Sequence, residues 1–90
     1  MTVTFATESG SLYELDPANR RVRRISGERA PTPRQGTDGE WKTYESWMPF
    51  IHPDGALAVW FDWTGRGNGT WTSPIVNPKA SVVLEALEGA

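Results

Sequence analysis

The 90-residue chain reads as a mainly β protein. The expected architecture is a small antiparallel β-barrel or rolled sheet of roughly five to seven strands, with an SH3-like arrangement among the candidates and a short C-terminal helix or strand. Three observations predict it. Turn-forming clusters recur about every 8–12 residues, the spacing of short antiparallel strands. They are Ser9-Gly10-Ser11, Asp16-Pro17-Ala18-Asn19, Ser26-Gly27, Asp38-Gly39, Pro53-Asp54-Gly55 and Gly65-Arg66-Gly67-Asn68-Gly69. Several segments between them alternate apolar and polar residues. Finally, five Trp, three Phe and two Tyr supply large units of buried area, which suits a chain too short for a thick core.

The elements follow in order. Over Thr2–Glu8, Val3 and Phe5 face one way, while Thr2, Thr4 and Glu8 face the other. In Ser11–Leu15, Tyr13 and Leu15 share a face. Gly10 can take a positive φ between these segments, so they form a hairpin. Asp16-Pro17-Ala18-Asn19 is a four-residue turn in which Pro17 presets φ and Asn19 tolerates the left-handed region. Arg20–Ile25 is the next strand. Val22 and Ile25 are three apart, so either a bulge intervenes or Ile25 packs beneath the following loop. Residues 28–40 form a long polar loop without periodicity, of a length that is often functional. Its Ala30-Pro31-Thr32-Pro33-Arg34 stretch is read as a stiffened loop; a polyproline docking peptide is the alternative.

Trp41–Phe50 is expected as one strand. Trp41, Thr43 and Glu45 lie on one face, Lys42, Tyr44 and Ser46 on the other, and Pro49 ends any regular element. Ala56–Trp63 is the clearest core strand: Leu57, Val59, Phe61 and Trp63 line one face, and Ala58, Trp60 and Asp62 the other. Thr70–Val76 sets Trp71, Ser73 and Ile75 against Thr70, Thr72 and Val76, with Pro74 favouring an edge position. The last segment carries both signals. Asn77-Pro78 is a cap and first-turn pair, with Val83 and Leu87 on one helical face and Gly89 as the stop. Val82, Leu84 and Ala86 alternate as in a strand. The helix is favoured.

Composition narrows the chemistry. A single domain over residues 1–90 is expected, with 38% hydrophobic residues and a formal charge of −2. There is no cysteine, hence no disulfide and no thiolate ligand or nucleophile. No segment resembles a signal peptide or a bilayer span, so the cytoplasm is the expected location, without membrane association. His52 is the sole histidine, too few for a protein zinc site. No G-x-S-x-G elbow marks a nucleophile. Gly65–Gly69 lacks the strand-to-helix context of a phosphate loop and reads as a hairpin connection. No catalytic residue, metal or cofactor is expected.

The uneven feature is charge. Six of the seven arginines, Arg20, Arg21, Arg23, Arg24, Arg29 and Arg34, fall within fifteen residues that hold one acid, Glu28. With Trp41 they are the candidate binding residues. Guanidinium forks suit carboxylate and phosphate partners. The bland reading pairs these arginines with Glu8, Glu14 and Asp16 across the hairpin.

Thr7–Asp16 (TESGSLYELD), Arg21–Arg24 (RVRR), Pro31–Gly36 (PTPRQG), Asp38–Lys42 (DGEWK) and Thr72–Val76 (TSPIV) stand in an order that resembles small proteins of actinobacteriophages and their actinobacterial hosts. The resemblance spans about residues 5 to 76; the tail from Asn77 and the Trp-rich stretch Ser46–Trp63 fall outside its motifs. It implies an accessory protein in the host cytoplasm and transfers no catalytic residue. The leading expectation is therefore a non-enzymatic protein that binds a host or phage protein through the Arg20–Trp41 region, in a role that modulates host physiology or defence. The alternatives are a nucleic-acid module using the same arginines with Tyr13, Trp41 or Trp60, and a self-assembling component such as a homodimer. An acidic isoelectric point near 5.3 weighs against nucleic acid.

Overall fold

The first strands arise from local alternation. In the computed structural model, which describes residues 2–27, 38–76 and 79–90, β1 (Val3–Ala6) buries Phe5 and β2 (Leu12–Asp16) buries Tyr13 and Leu15. Gly10 turns the chain between them at φ 89°, as its missing Cβ allows. Pro17–Asn19 makes one 3-10 turn. The left-handed residue that ends it is Arg20 (φ 52°) and not the expected Asn19. β3 (Arg21–Ser26) then pairs with β2. Leu12 opposes Ser26 and Tyr13 opposes Arg24, so Ile25 is the extra residue of a bulge and lies exposed. Of the two accounts of the Val22–Ile25 spacing, the bulge is the one observed.

Residues 41–50 do not form one strand. β4 (Lys42–Thr43) pairs with β3, whereas β5 (Ser46–Ile51) pairs with β6 (Leu57–Asp62) in a second sheet. The chain crosses at Tyr44, whose N–H donates to Arg20 O, and Glu45, whose N–H donates to Asp62 O. Pro49 lies inside β5 rather than ending it. The register explains why this is tolerated. His52 N–H donates to Ala56 O at 2.8 Å, and in the antiparallel alternation that bond turns the backbone groups of Trp47, Pro49 and Ile51 away from β6. Proline therefore sits on an outward edge, where its missing N–H breaks no ladder bond.

β7 (Gly69–Trp71) is shorter than the expected Thr70–Val76 strand. Beyond it the chain runs irregularly past Pro74 and bonds to both sheets. Thr72 and Ile75 donate to Val59 O and Leu57 O. Thr7 and Ile75 form an antiparallel bridge, while Glu8 N–H reaches Pro74 O and Val76 N–H reaches Ala6 O. This turn of the chain buries Ile75 and leaves Trp71 exposed, although simple alternation puts them on one face. The fold is thus mainly β: two antiparallel sheets, ordered β1-β2-β3-β4 and β5-β6-β7, with one C-terminal helix.

α1 (Lys79–Glu88) buries Val83 and Leu87, four apart on one face, and leaves Val82 exposed. The strand alternative for this segment is not observed; the Asn77-Pro78 cap lies outside the described residues. Each buried aliphatic side chain contributes about 1.5–3 kcal/mol, which supports a ten-residue helix that is marginal in isolation. The core joins Phe5, Leu15 and Val22 of the first sheet to Leu57, Val59 and Phe61 of the second, with Tyr44, Ile75, Val83 and Leu87. Among the described residues no helix is long and apolar enough to cross a membrane.

Candidate functional site

The arginine cluster is built on β3 and its flanks, and its described members are paired. Cross-strand register places Glu14 opposite Arg23 and Asp16 opposite Arg21. Arg23 Nε and Nη2 lie 2.8 and 2.5 Å from Glu14 Oε1, and Arg21 Nε lies 2.9 Å from Asp16 Oδ2. Both guanidinium carbons also sit over Trp41, at 4.3 and 4.5 Å from its ring centroid, within cation–π range. The pairing registers in the carboxylates. Arg23 first, then Thr2, hold Glu14 below its usual pKa; Asn19 first, then Arg21, do so for Asp16.

Arg24 points to the opposite face and is buried. Its Nη1 meets Asp38 Oδ1 at 3.0 Å and its Nε meets Ser11 Oγ at 3.4 Å. Arg20 is exposed, 3.9 Å from Glu45 Oε2, and donates to Glu45 O. Arg29, Arg34 and the Pro31–Pro33 stretch lie outside the described residues. Of the acids expected opposite this cluster, Glu14 and Asp16 serve; Asp38 and Glu45 complete it, and Glu8 forms no ion pair among the described residues.

The glycine-rich connection is organised around Asp62. Its Oδ1 accepts from Thr64 N–H (3.2 Å) and Gly65 N–H (2.8 Å), and its Oδ2 from Gly67 N–H (3.0 Å). Burial alone raises a carboxyl pKa; the backbone donors of Gly67, Gly65 and Thr64 outweigh it, and Asp62 titrates below its ordinary value. The amides that a phosphate loop would offer to an anion are occupied by the chain's own carboxylate. His52 stands edge-on to Phe50 at 4.7 Å. Among the described residues no three His, Asp or Glu side chains gather as metal ligands.

The outer face of the second sheet is different in kind. Register sets Met48 beside Trp60, Trp60 beside Trp71, and Phe50 beside Ala58. Trp60 and Trp71 pack with centroids 5.5 Å apart, Phe50 meets Trp71 edge-on at 6.2 Å, and His52 extends the row. Met48, Phe50 and Trp71 are 51, 48 and 43% exposed. A shallow groove of about 350 Å³ runs between Phe50, His52, Trp71 and Pro74. No formally charged side chain stands among Met48, Phe50, Ala58, Trp60 and Trp71.

No protein-family model, curated protein or solved structure matches the chain. The surface must therefore speak through its chemistry. From the sequence the aromatics read as buried area, Trp60 enters only in the nucleic-acid alternative, and the binding residues fall on the arginines with Trp41. Met48 and Phe50 at alternate positions were the available signal, masked because residues 41–50 were read as one strand ended by Pro49.

Proposed function

We propose that this chain is a non-enzymatic protein-binding module whose contact surface is the outer face of β5–β7. The observation that carries the reading is the contiguous, uncharged, half-exposed row of Met48, Phe50, Trp60 and Trp71. Apolar patches of this kind mark interaction sites on soluble proteins, and aromatic residues dominate the energetics of such contacts. An exposed row without formal charge, beside an Asp62 that is buried and held by loop amides, fits an apolar, uncharged protein surface. A polyanion is less well served, because the paired arginines lie on one sheet and the open aromatic rings on the other. A host or phage protein is the class of partner that the sequence resemblance suggests.

The same reading takes the two sheets as one rolled, barrel-like sheet. Its support is the hydrogen bonding of residues 74–76 to β1 on one side and of residues 44–45 to β3 and β6 on the other.

The test retrieves proteins retained by the wild-type chain and lost by Phe50→Glu, then titrates the purified candidate while following tryptophan fluorescence. Saturable binding that Phe50→Glu abolishes and Arg21→Glu/Arg23→Glu preserves supports the aromatic face. The reverse pattern moves the surface to β3 and Trp41. Binding to a second copy of this chain through the same uncharged row is the second reading; Pro49 leaves an incoming strand no donor on the β5 edge, so such a pair would use the face. Light scattering from about micromolar to about millimolar protein separates the two, since only a homodimer changes mass with concentration.

A further inference from the structure

We infer that one buried water molecule is held between the two sheets by Trp63 Nε1, Thr70 Oγ1 and the Thr72 hydroxyl. Trp63 Nε1 and Thr70 Oγ1 are fully buried side-chain atoms that meet no hydrogen-bonding atom among the described residues. Buried polar groups are rarely left so, because an unmade hydrogen bond costs the full desolvation of the group. Both residues line the same cavity, together with Tyr13, Val22, Arg23, Arg24 and Lys42 from the first sheet and Phe61 and Thr72 from the second side. The volume open to the centre of a water-sized sphere there is about 20 Å³. One water needs roughly 10–15 Å³ by that measure, plus two to four polar partners.

The register explains why these atoms converge. Phe61 opposes Thr70 across β6 and β7, and Trp63 lies two residues beyond Phe61 on the same face. The Phe61 and Trp63 rings stack at 6.1 Å, which sets the indole plane. Thr72 already accepts Val59 N–H at 2.9 Å through its Oγ1, which leaves its own hydroxyl hydrogen to donate. The indole N–H donates to the water, Thr72 donates to it, and the water donates to Thr70 Oγ1. The indole N–H, the Thr72 hydroxyl hydrogen and Thr70 Oγ1 each have a partner in that arrangement. A larger polar ligand does not fit the space, and an apolar one leaves the indole donor unmatched.

The sign of one substitution tests the inference. Thr70→Val keeps shape and β propensity but removes one partner of the water. With the water present, the folding equilibrium constant falls by about tenfold, the equivalent of losing one buried hydrogen bond. In a dry cavity the same change replaces an unpartnered hydroxyl by a methyl group. Unchanged or increased stability in urea denaturation therefore overturns the proposal. A second measurement uses the wild-type chain: the Trp63 indole proton should show a direct Overhauser effect to a water of long residence time in NMR. An indole proton without that contact also overturns it.

Discussion

Trp71→Ala tests the packing of the aromatic face most directly. Trp71 is 43% exposed, so 57% of its surface is covered, chiefly by Trp60 and Phe50. A tryptophan presents roughly 250 Å², which makes the covered part roughly 140 Å². At about 25 cal/mol per Å² this is worth about 3.5 kcal/mol. A compact unfolded state already buries some of that area, which reduces the figure to about 2–3 kcal/mol. Domains of this length are stable by roughly 5–13 kcal/mol, so the variant should stay folded. Urea denaturation with an unchanged m-value should report the loss, and near-ultraviolet circular dichroism should lose the coupled Trp60–Trp71 signal. Wild-type stability within about 0.5 kcal/mol, with the near-ultraviolet spectrum intact, would refute the stacking on which the candidate surface is built.

Three further outcomes are expected. Gly69→Ala should cost about 3 kcal/mol or more and lower the melting temperature steeply, because its Cβ would collide with the Phe61 carbonyl oxygen and stand 2.8 Å from the Trp60 ring; a fully stable variant would contradict the close approach of β7 to β6. Glu14, Asp16 and Asp62 all titrate below their ordinary values in the folded state. Their contribution is thus complete above the unfolded carboxylate range and lost as pH falls through the lower folded values, so denaturant midpoints should be level near neutrality and drop on acidification. Pro49→Thr restores an outward N–H on the β5 edge and should promote edge-to-edge association, seen as a rise in light-scattering mass over wild type at equal concentration.

Local physics decided much of this protein. Gly10 and Pro17 placed turns through their own φ preferences. The spacing of Val83 and Leu87 allowed a helix over residues 79–88 but Val82, Leu84 and Ala86 allowed a strand as well, and the burial of Val83 and Leu87 decided between them. Alternation aligned Leu57, Val59 and Phe61 toward the core. The turns and the β6 alternation lie within a few residues of chain, which is why the amino-acid sequence alone determined them.

What the tertiary structure decided depends on partners distant in sequence. Residues 41–50 split because Lys42–Thr43 finds β3 while Ser46–Ile51 finds β6, and no local pattern encodes that choice. An arginine run cannot reveal that Arg21 and Arg23 lie opposite Asp16 and Glu14; only the register of the hairpin does. The bulge at Ile25 and the left-handed Arg20 likewise belong to pairing and closure. The aromatic face is the strongest case. Met48, Phe50, Trp60 and Trp71 come from three strands, and only the pairing of β5 and β7 onto β6 makes them one surface.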